Sequence, residues 1–359
     1  MNLHFTKIFF IISILLGLSA SAQIDIQTVT PSETWNENHF MFFTNRTLEN
    51  NEDGSITFKK HTTKQTNTLY FCRYDFDKDS IEINYKTVNL SPEKYPTEKM
   101  DYNPFYTFYE QQRIKRGIKN FYFVVGGYGK NFDKQVNSYM KRIKSTYADT
   151  LFKKAAIIVF AWGDEGHAWR YYNGVRASKR GAADFAIFQH MLDEFVSDTT
   201  YFKTHPNDLT IDIAFSSMGN YLFKEYLEER KKQEIPLVKT YHKVILLGSV
   251  TDRRSLEKGH EFYGLNKMTD IVDVYVNSKD ALLAMSAMMH LSGRLGKRGP
   301  KNEAVLEDYV NIIRVSDIIT LEDLPGLGHD YLLTNDIFQH EVLENIDENL
   351  DSKNERKKP

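Results

Sequence analysis

The hydrophobic positions of this chain change rhythm near residue 117. Before it, short mixed apolar runs at His39–Phe43, Ser55–Phe58, Thr68–Tyr74 and Ile81–Tyr85 are separated by turn signals such as Asp53–Gly54. They predict antiparallel strands leading into a larger sheet. After it, almost uninterrupted apolar runs at Asn120–Val125, Ala155–Phe160, Leu209–Phe215, Lys243–Leu247, Ile271–Val276 and Tyr309–Val315 alternate with longer segments of helical period. Phe185, Phe188, Leu192 and Phe195 recur at that spacing, and Tyr221–Lys232 follows the third run. Strands apolar on both faces and separated by helices predict an α/β fold with a doubly wound, mostly parallel sheet. The Met-rich segment Ala281–Leu291 reads as a buried core helix in preference to a lid.

In such sheets chemistry gathers at the C-terminal ends of the strands. The third run ends in Phe215-Ser216-Ser217-Met218-Gly219, a strand turning sharply toward a helix with serine at the apex. That is how α/β-hydrolases present a nucleophile. Of the two hydroxyls Ser217 is preferred, because it puts Gly219 at the crowded inner corner where Ser216 would put Met218. Phe215 departs from G-x-S-x-G.

A serine hydroxyl needs a base, a group that orients the base, and donors for the oxyanion. In α/β-hydrolases acid and then histidine follow the serine. Of the five later histidines, His242, His260, His290, His329 and His340, only His329 lies in a glycine-rich loop, Pro325–Tyr331, after the last run. Two aspartates follow a strand, Asp280 in Asn277–Ala281 and Asp252 after Lys243–Val250. Position favours Asp280, which also reads as the N-cap of a helix. Oxyanion donors are expected from Met218 and from Tyr128 or Gly127 in Val124–Gly129. That loop lacks both the Lys-Ser/Thr of a P-loop and G-x-G-x-x-G spacing, which argues against a nucleotide. Gly126, Trp162 and Ser216 are candidates to line a pocket, with ordinary packing the alternative for Trp162. Asp164, Glu165 and His167 have no second ligand cluster beside them, so neither metal nor cofactor is expected.

With 46 basic and 48 acidic residues, the chain lacks the basic excess of a nucleic-acid binder. Met1–Gln23 carries Lys7, the apolar run Ile8–Leu18 and Ala20-Ser21-Ala22, the layout of a cleavable signal peptide. It predicts export to the periplasm or beyond, with no stable membrane span after cleavage. Cys72 is the single cysteine, so no internal disulfide forms and stability must come from a core. The chain then divides into a signal peptide over 1–22, a strand-rich extension over 23–110, the main α/β unit over 111–345 and a charged tail over 346–359.

Several separated motifs resemble the bacterial α/β-hydrolases of the DUF900 group. Phe42-Phe-Thr-Asn-Arg46 comes first, Val125-Gly-Gly-Tyr128 stands where the family has V-H-G-Y, and Phe160-Ala-Trp162 where it has F-x-W. Ser217-Met-Gly-Asn220 matches the H-S-M-G-N elbow and Val274–Leu282 the acid segment Y-x-S-x-x-D-x-A-L; Arg294-Leu-Gly296 follows, and Gly328-His329 with Tyr331 matches the G-H-x-Y end. The resemblance implies an α/β-hydrolase fold and a triad of Ser217, Asp280 and His329, and it lifts Asp280 well above Asp252. The histidines the family has before the oxyanion glycine and before the nucleophile are Gly126 and Ser216 here. The expectation is an exported serine hydrolase acting on a small-molecule ester or other acyl substrate. Two rivals remain: a non-catalytic envelope binding protein that kept the fold, motivated by Gly126 and Phe215, and a peptide hydrolase.

Overall fold

The computed structural model describes residues 25–28, 39–50, 56–59, 68–86, 103–127, 155–163, 171–317 and 328–329. Its strands are β1 (Asp25–Thr28), β2 (His39–Thr44), β3 (Leu48–Asn50), β4 (Ile56–Phe58), β5 (Tyr70–Asp75), β6 (Ser80–Lys86), β7 (Asn120–Val125), β8 (Ala155–Phe160), β9 (Thr210–Ser216), β10 (Tyr241–Leu247), β11 (Thr269–Val276) and β12 (Val310–Arg314). The helices used below are α1 (Pro104–Tyr109), α2 (Tyr171–Ser197), α3 (Met218–Lys232), α4 (Ala281–His290) and α5 (Leu295–Arg298). Among the described residues, ten strands form one sheet in the order β1-β6-β5-β2-β8-β7-β9-β10-β11-β12.

Every pairing in that sheet is parallel except the two made by β5. The N-terminal strands join the main sheet, yet β2 runs parallel to β8, with Met41 opposite Ile158. From Phe40 to Thr44 this strand is buried on both faces, as an interior strand must be. Ile56–Phe58 does not lead into the sheet. It pairs with Leu48–Asn50 in a separate hairpin whose Glu49 and Asn50 face water.

Side chains alternate between two apolar layers. Met41, Phe43, Phe123, Val125, Ile158 and Phe160 face the layer that contains α2 and α3, while Phe40, Phe42, Tyr122, Val124, Ile157 and Val159 face the other. Phe188 of α2 shows how the first layer is joined. Its ring centroid lies 4.8 Å from Phe43, 5.4 Å from Phe123 and 5.5 Å from Phe160, so one side chain ties three strands to the helix. Deleting such a buried ring costs about 3–5 kcal/mol.

The chain lays β8 on one side of β7 and β9 on the other, which opens a crevice beyond the C-terminal ends of these strands. Val125 is level with both Phe160 and Phe215, so β7, β8 and β9 reach this edge of the sheet at nearly one height. Helix α4 departs from the expectation of a core helix. Only Leu283 and Ser286 are buried, whereas Met288 and Met289 are exposed and the following Leu291 is 94% exposed. The buried stripe meets α2 where the Tyr171 hydroxyl lies 2.9 Å from Ser286 Oγ, and the end of the helix touches α2 through His290, whose ring lies 5.1 Å from that of Tyr171.

Cys72 is fully buried, and burial pushes its thiol well above the usual range. Among the described residues no helix is long and apolar enough to cross a membrane. The predicted signal peptide and charged tail lie outside the described residues.

Candidate active site

Ser217 stands between β9 and α3 with φ 52° and ψ −118°, a conformation that costs a non-glycine residue about 1–3 kcal/mol. The surrounding structure holds it there. The Ser217 N–H donates to Leu247 O at 2.8 Å, extending the β9–β10 ladder by one residue. The buried Asn220 amide donates to the carbonyls of Phe215 at 2.8 Å and of Ser217 and Leu247 at 3.1 Å. At Gly219 a Cβ would lie 2.6 Å from Val125 O, so only glycine fits the inner corner. Phe215 is no obstacle: its ring is buried in the layer below and stacks on Phe223 at 4.1 Å.

His329 follows Gly328, which turns the chain with φ 72°. Its Nε2 lies 2.6 Å from Ser217 Oγ and its Nδ1 2.6 Å from Asp280 Oδ2. With Nδ1–H donated to the carboxylate, Nε2 keeps its lone pair and accepts the serine O–H. Asp280 is fully buried, and its other oxygen accepts the Leu283 N–H at 2.8 Å. The carboxylate therefore caps α4 with one oxygen and orients His329 with the other.

Two side chains tie the acid loop to its surroundings. Asn277 donates to Gly328 O at 2.7 Å, joining the loop before Asp280 to the residue before His329. Lys297 donates to Ser278 O at 2.5 Å and to Asp280 O at 2.8 Å; burial lowers the pKa of its amine, against the opposing pull of the Asp280 charge. From the sequence, Asn220 and Asn277 stand only as members of the elbow and acid segments. The available signal was an asparagine in the turn after a buried strand, a residue whose amide satisfies stray carbonyls.

The remaining candidates fall elsewhere. His242 pairs with Asp212 at 3.2 Å at the start of β10, the strand end opposite the serine. His290 packs edge-on against Tyr171 at 5.1 Å, and His260 lies 3.9 Å from Glu261. Asp252 forms an isolated bridge with Arg294 and accepts the Arg254 N–H, so it organises its own turn. His340, Asp164, Glu165 and His167 lie outside the described residues, and among those described there is no cluster able to hold a metal ion.

Of the expected oxyanion donors, Met218 opens α3, where the first N–H groups have no acceptor within the helix and the dipole favours negative charge. Gly127 lies against the serine: a Cβ there would be 2.8 Å from Ser217 Cβ and 3.4 Å from its Oγ. Tyr128 lies outside the described residues. Ser216 is half-buried beside Leu247, and the Gly126 carbonyl accepts the Trp162 indole N–H at 2.7 Å. Trp162 does not line a pocket. It is fully buried, because it packs so tightly on α2 that a Cβ at Gly181 would lie 3.4 Å from its ring.

Such an arrangement can deliver a serine oxygen to an electrophilic carbonyl and carry its proton away. A family model described as an alpha/beta hydrolase of unknown function (DUF900) matches residues 109–345. No curated protein matches the chain.

Proposed function

The chain belongs to the DUF900 family of alpha/beta hydrolases of unknown function, and we propose that it is an exported serine hydrolase acting on a small-molecule ester or related acyl compound. The observation that carries this reading is the continuous path from Ser217 Oγ to His329 to Asp280, with 2.6 Å at each step. His329 Nε2 takes the serine proton as Oγ attacks the carbonyl carbon. The Met218 N–H, with that of Gly127 or Tyr128, receives the charge on the tetrahedral oxygen. Collapse expels the leaving alcohol, which takes the proton back from His329, and water repeats the sequence to release the acid. Asp280 keeps the imidazole in the required tautomer and stabilises it while it is charged.

The Ser217–His329 contact favours this reading over a binding protein that retained only the fold. Export is supported by the n-region, apolar run and Ala20-Ser21-Ala22 site of residues 1–22. Labelling with a fluorophosphonate tests the chemistry: the folded protein is expected to react at Ser217, and the Ser217→Ala variant not at all. Absence of labelling, or equal labelling of both, overturns it. A panel of acyl esters beside a peptide library then separates esterase from peptidase action, and N-terminal sequencing of the exported protein should begin at Gln23.

A further inference from the structure

Phe42–Arg46 and Phe160–Trp162 resemble family motifs, yet the proposed mechanism assigns them no part. The structure shows what they do to each other. Ala161 N donates to Phe43 O and the Thr44 hydroxyl to Ala161 O, both at 2.7 Å. Arg46 donates to Trp162 O at 3.1 Å, and Asn45 Oδ1 accepts the Gly163 N–H at 2.7 Å. Asn45 is fastened in turn by donating to Asp184 Oδ2 of α2 at 2.7 Å. The last residue of β2 and the two that follow thus grip the three residues after β8, and Thr44, Asn45 and Arg46 are all buried. Burying so much polarity for a loop connection is expensive unless the loop must be held in one place.

What is held is the Trp162 indole, and its one polar atom is committed to Gly126 O. The carbonyl and the N–H of a trans peptide point in opposite directions. Drawing Gly126 O toward Trp162 therefore turns the Gly127 N–H away from it, on the residue whose Cα lies against Ser217. Two glycines in succession give this segment the most backbone freedom the chain can offer. A Cβ at Gly126 would meet nothing within 4 Å, while its carbonyl lies so near Gly219 that a Cβ there would stand 3.0 Å from Gly126 O, so the carbonyl is set between the elbow and the indole that binds it.

We infer that Trp162 is a positioning residue for the oxyanion site: its indole N–H aims the Gly126–Gly127 peptide, and the Thr44–Asn45–Arg46 segment with Asp184 holds the indole. This rests on the serine-hydrolase reading above. Trp162 touches no reacting atom and acts only through the peptide.

The test replaces Trp162 with benzothienylalanine, which keeps the bicyclic shape and puts sulfur where the N–H was, with Trp162→Phe as a second variant. Removing one oxyanion donor costs about 100- to 1,000-fold in kcat, and misaiming one is expected to cost about 10- to 100-fold. Per folded enzyme, kcat should fall by that factor with KM within about twofold, because ground-state binding is untouched. Affinity for a trifluoromethyl ketone, whose adduct places an oxyanion in the same site, should fall in parallel, whereas a purely structural tryptophan would not link the two. Unchanged kcat and ketone affinity in the folded isosteric variant overturn the inference, as does a loss explained by unfolding in both variants. A wild-type enzyme that neither labels at Ser217 nor turns over esters overturns the parent reading instead.

Discussion

Asp184 offers the sharpest test of the buried polar cluster, because a carboxyl 1% exposed with a neutral amide as its hydrogen-bond partner should titrate abnormally. Burial pushes its pKa from 3.8 up to about 7, with the Asn45 hydrogen bond opposing the shift. Folding raises the value, so the folded chain retains a proton that the unfolded chain has released. The resulting stability is complete below pH 4 and is lost as the pH rises through 7. At about 1.4 kcal/mol for each pH unit, the window from pH 4 to 7 amounts to about 4 kcal/mol. Asp184→Asn removes the titration while leaving an amide oxygen to accept from Asn45. Its NH2 inherits the place of Oδ1, an atom without a hydrogen-bond partner among the described residues, at a cost of roughly 1 kcal/mol. The variant should therefore be slightly less stable than wild type at pH 4.5 and more stable by about 2–3 kcal/mol at pH 8. Urea unfolding of both proteins across this range measures the difference, in which every other titrating group cancels. A difference that stays flat between pH 4.5 and pH 8 would refute the reasoning.

Asp280→Asn keeps an N-cap for α4 but loses the charge that orients His329, so kcat should fall by about 10⁴ with little change in the urea midpoint. Asp280→Ala should add about 1 kcal/mol of destabilisation through the lost cap, and equal urea midpoints for the two variants would contradict the double role. Ser217→Gly should abolish turnover and raise stability by roughly 1 kcal/mol, since glycine adopts φ 52° without strain; a less stable variant would show that the elbow is unstrained. Gly126→Ala should be stabilising by about 0.5–1 kcal/mol, because space is open there and the unfolded chain loses freedom. Gly127→Ala should instead push on Ser217, whose Cβ would be 2.8 Å away, and lower kcat in an ester assay.

The strands of the main sheet were readable because a parallel strand buried on both faces leaves an unbroken apolar run. Asn120–Val125 and Ala155–Phe160 match residue for residue, and Thr210–Ser216 differs from its run by one position at each end. The N-terminal strands were readable as strands but not in their pairing. Whether β2 lies parallel to β8 depends on contacts more than a hundred residues apart, which leave no period in the chain. The α4 helix misleads for a related reason, since Leu282, Met285 and Met288 look like core side chains wherever the helix is placed. Burial follows from the neighbours, and in that helix they bury only Leu283 and Ser286.

Serine, acid and histidine could be nominated from their order and from their places after successive strands, because topology brings consecutive strand ends to one edge of the sheet. The chain alone determined that much: the apolar rhythm, the turn chemistry and the residues available at the edge. Tertiary structure decided the rest, because it depends on distances that sequence spacing does not encode. Ser217 Oγ comes within 2.6 Å of a histidine 112 residues away, and Asp280 caps a helix while orienting that histidine. Trp162, a pocket candidate from the sequence with packing as its alternative, is joined through the Asn45–Arg46 segment to Asp184, in a buried cluster whose last hydrogen bond ends on Gly126, one residue before the glycine that lies against the serine.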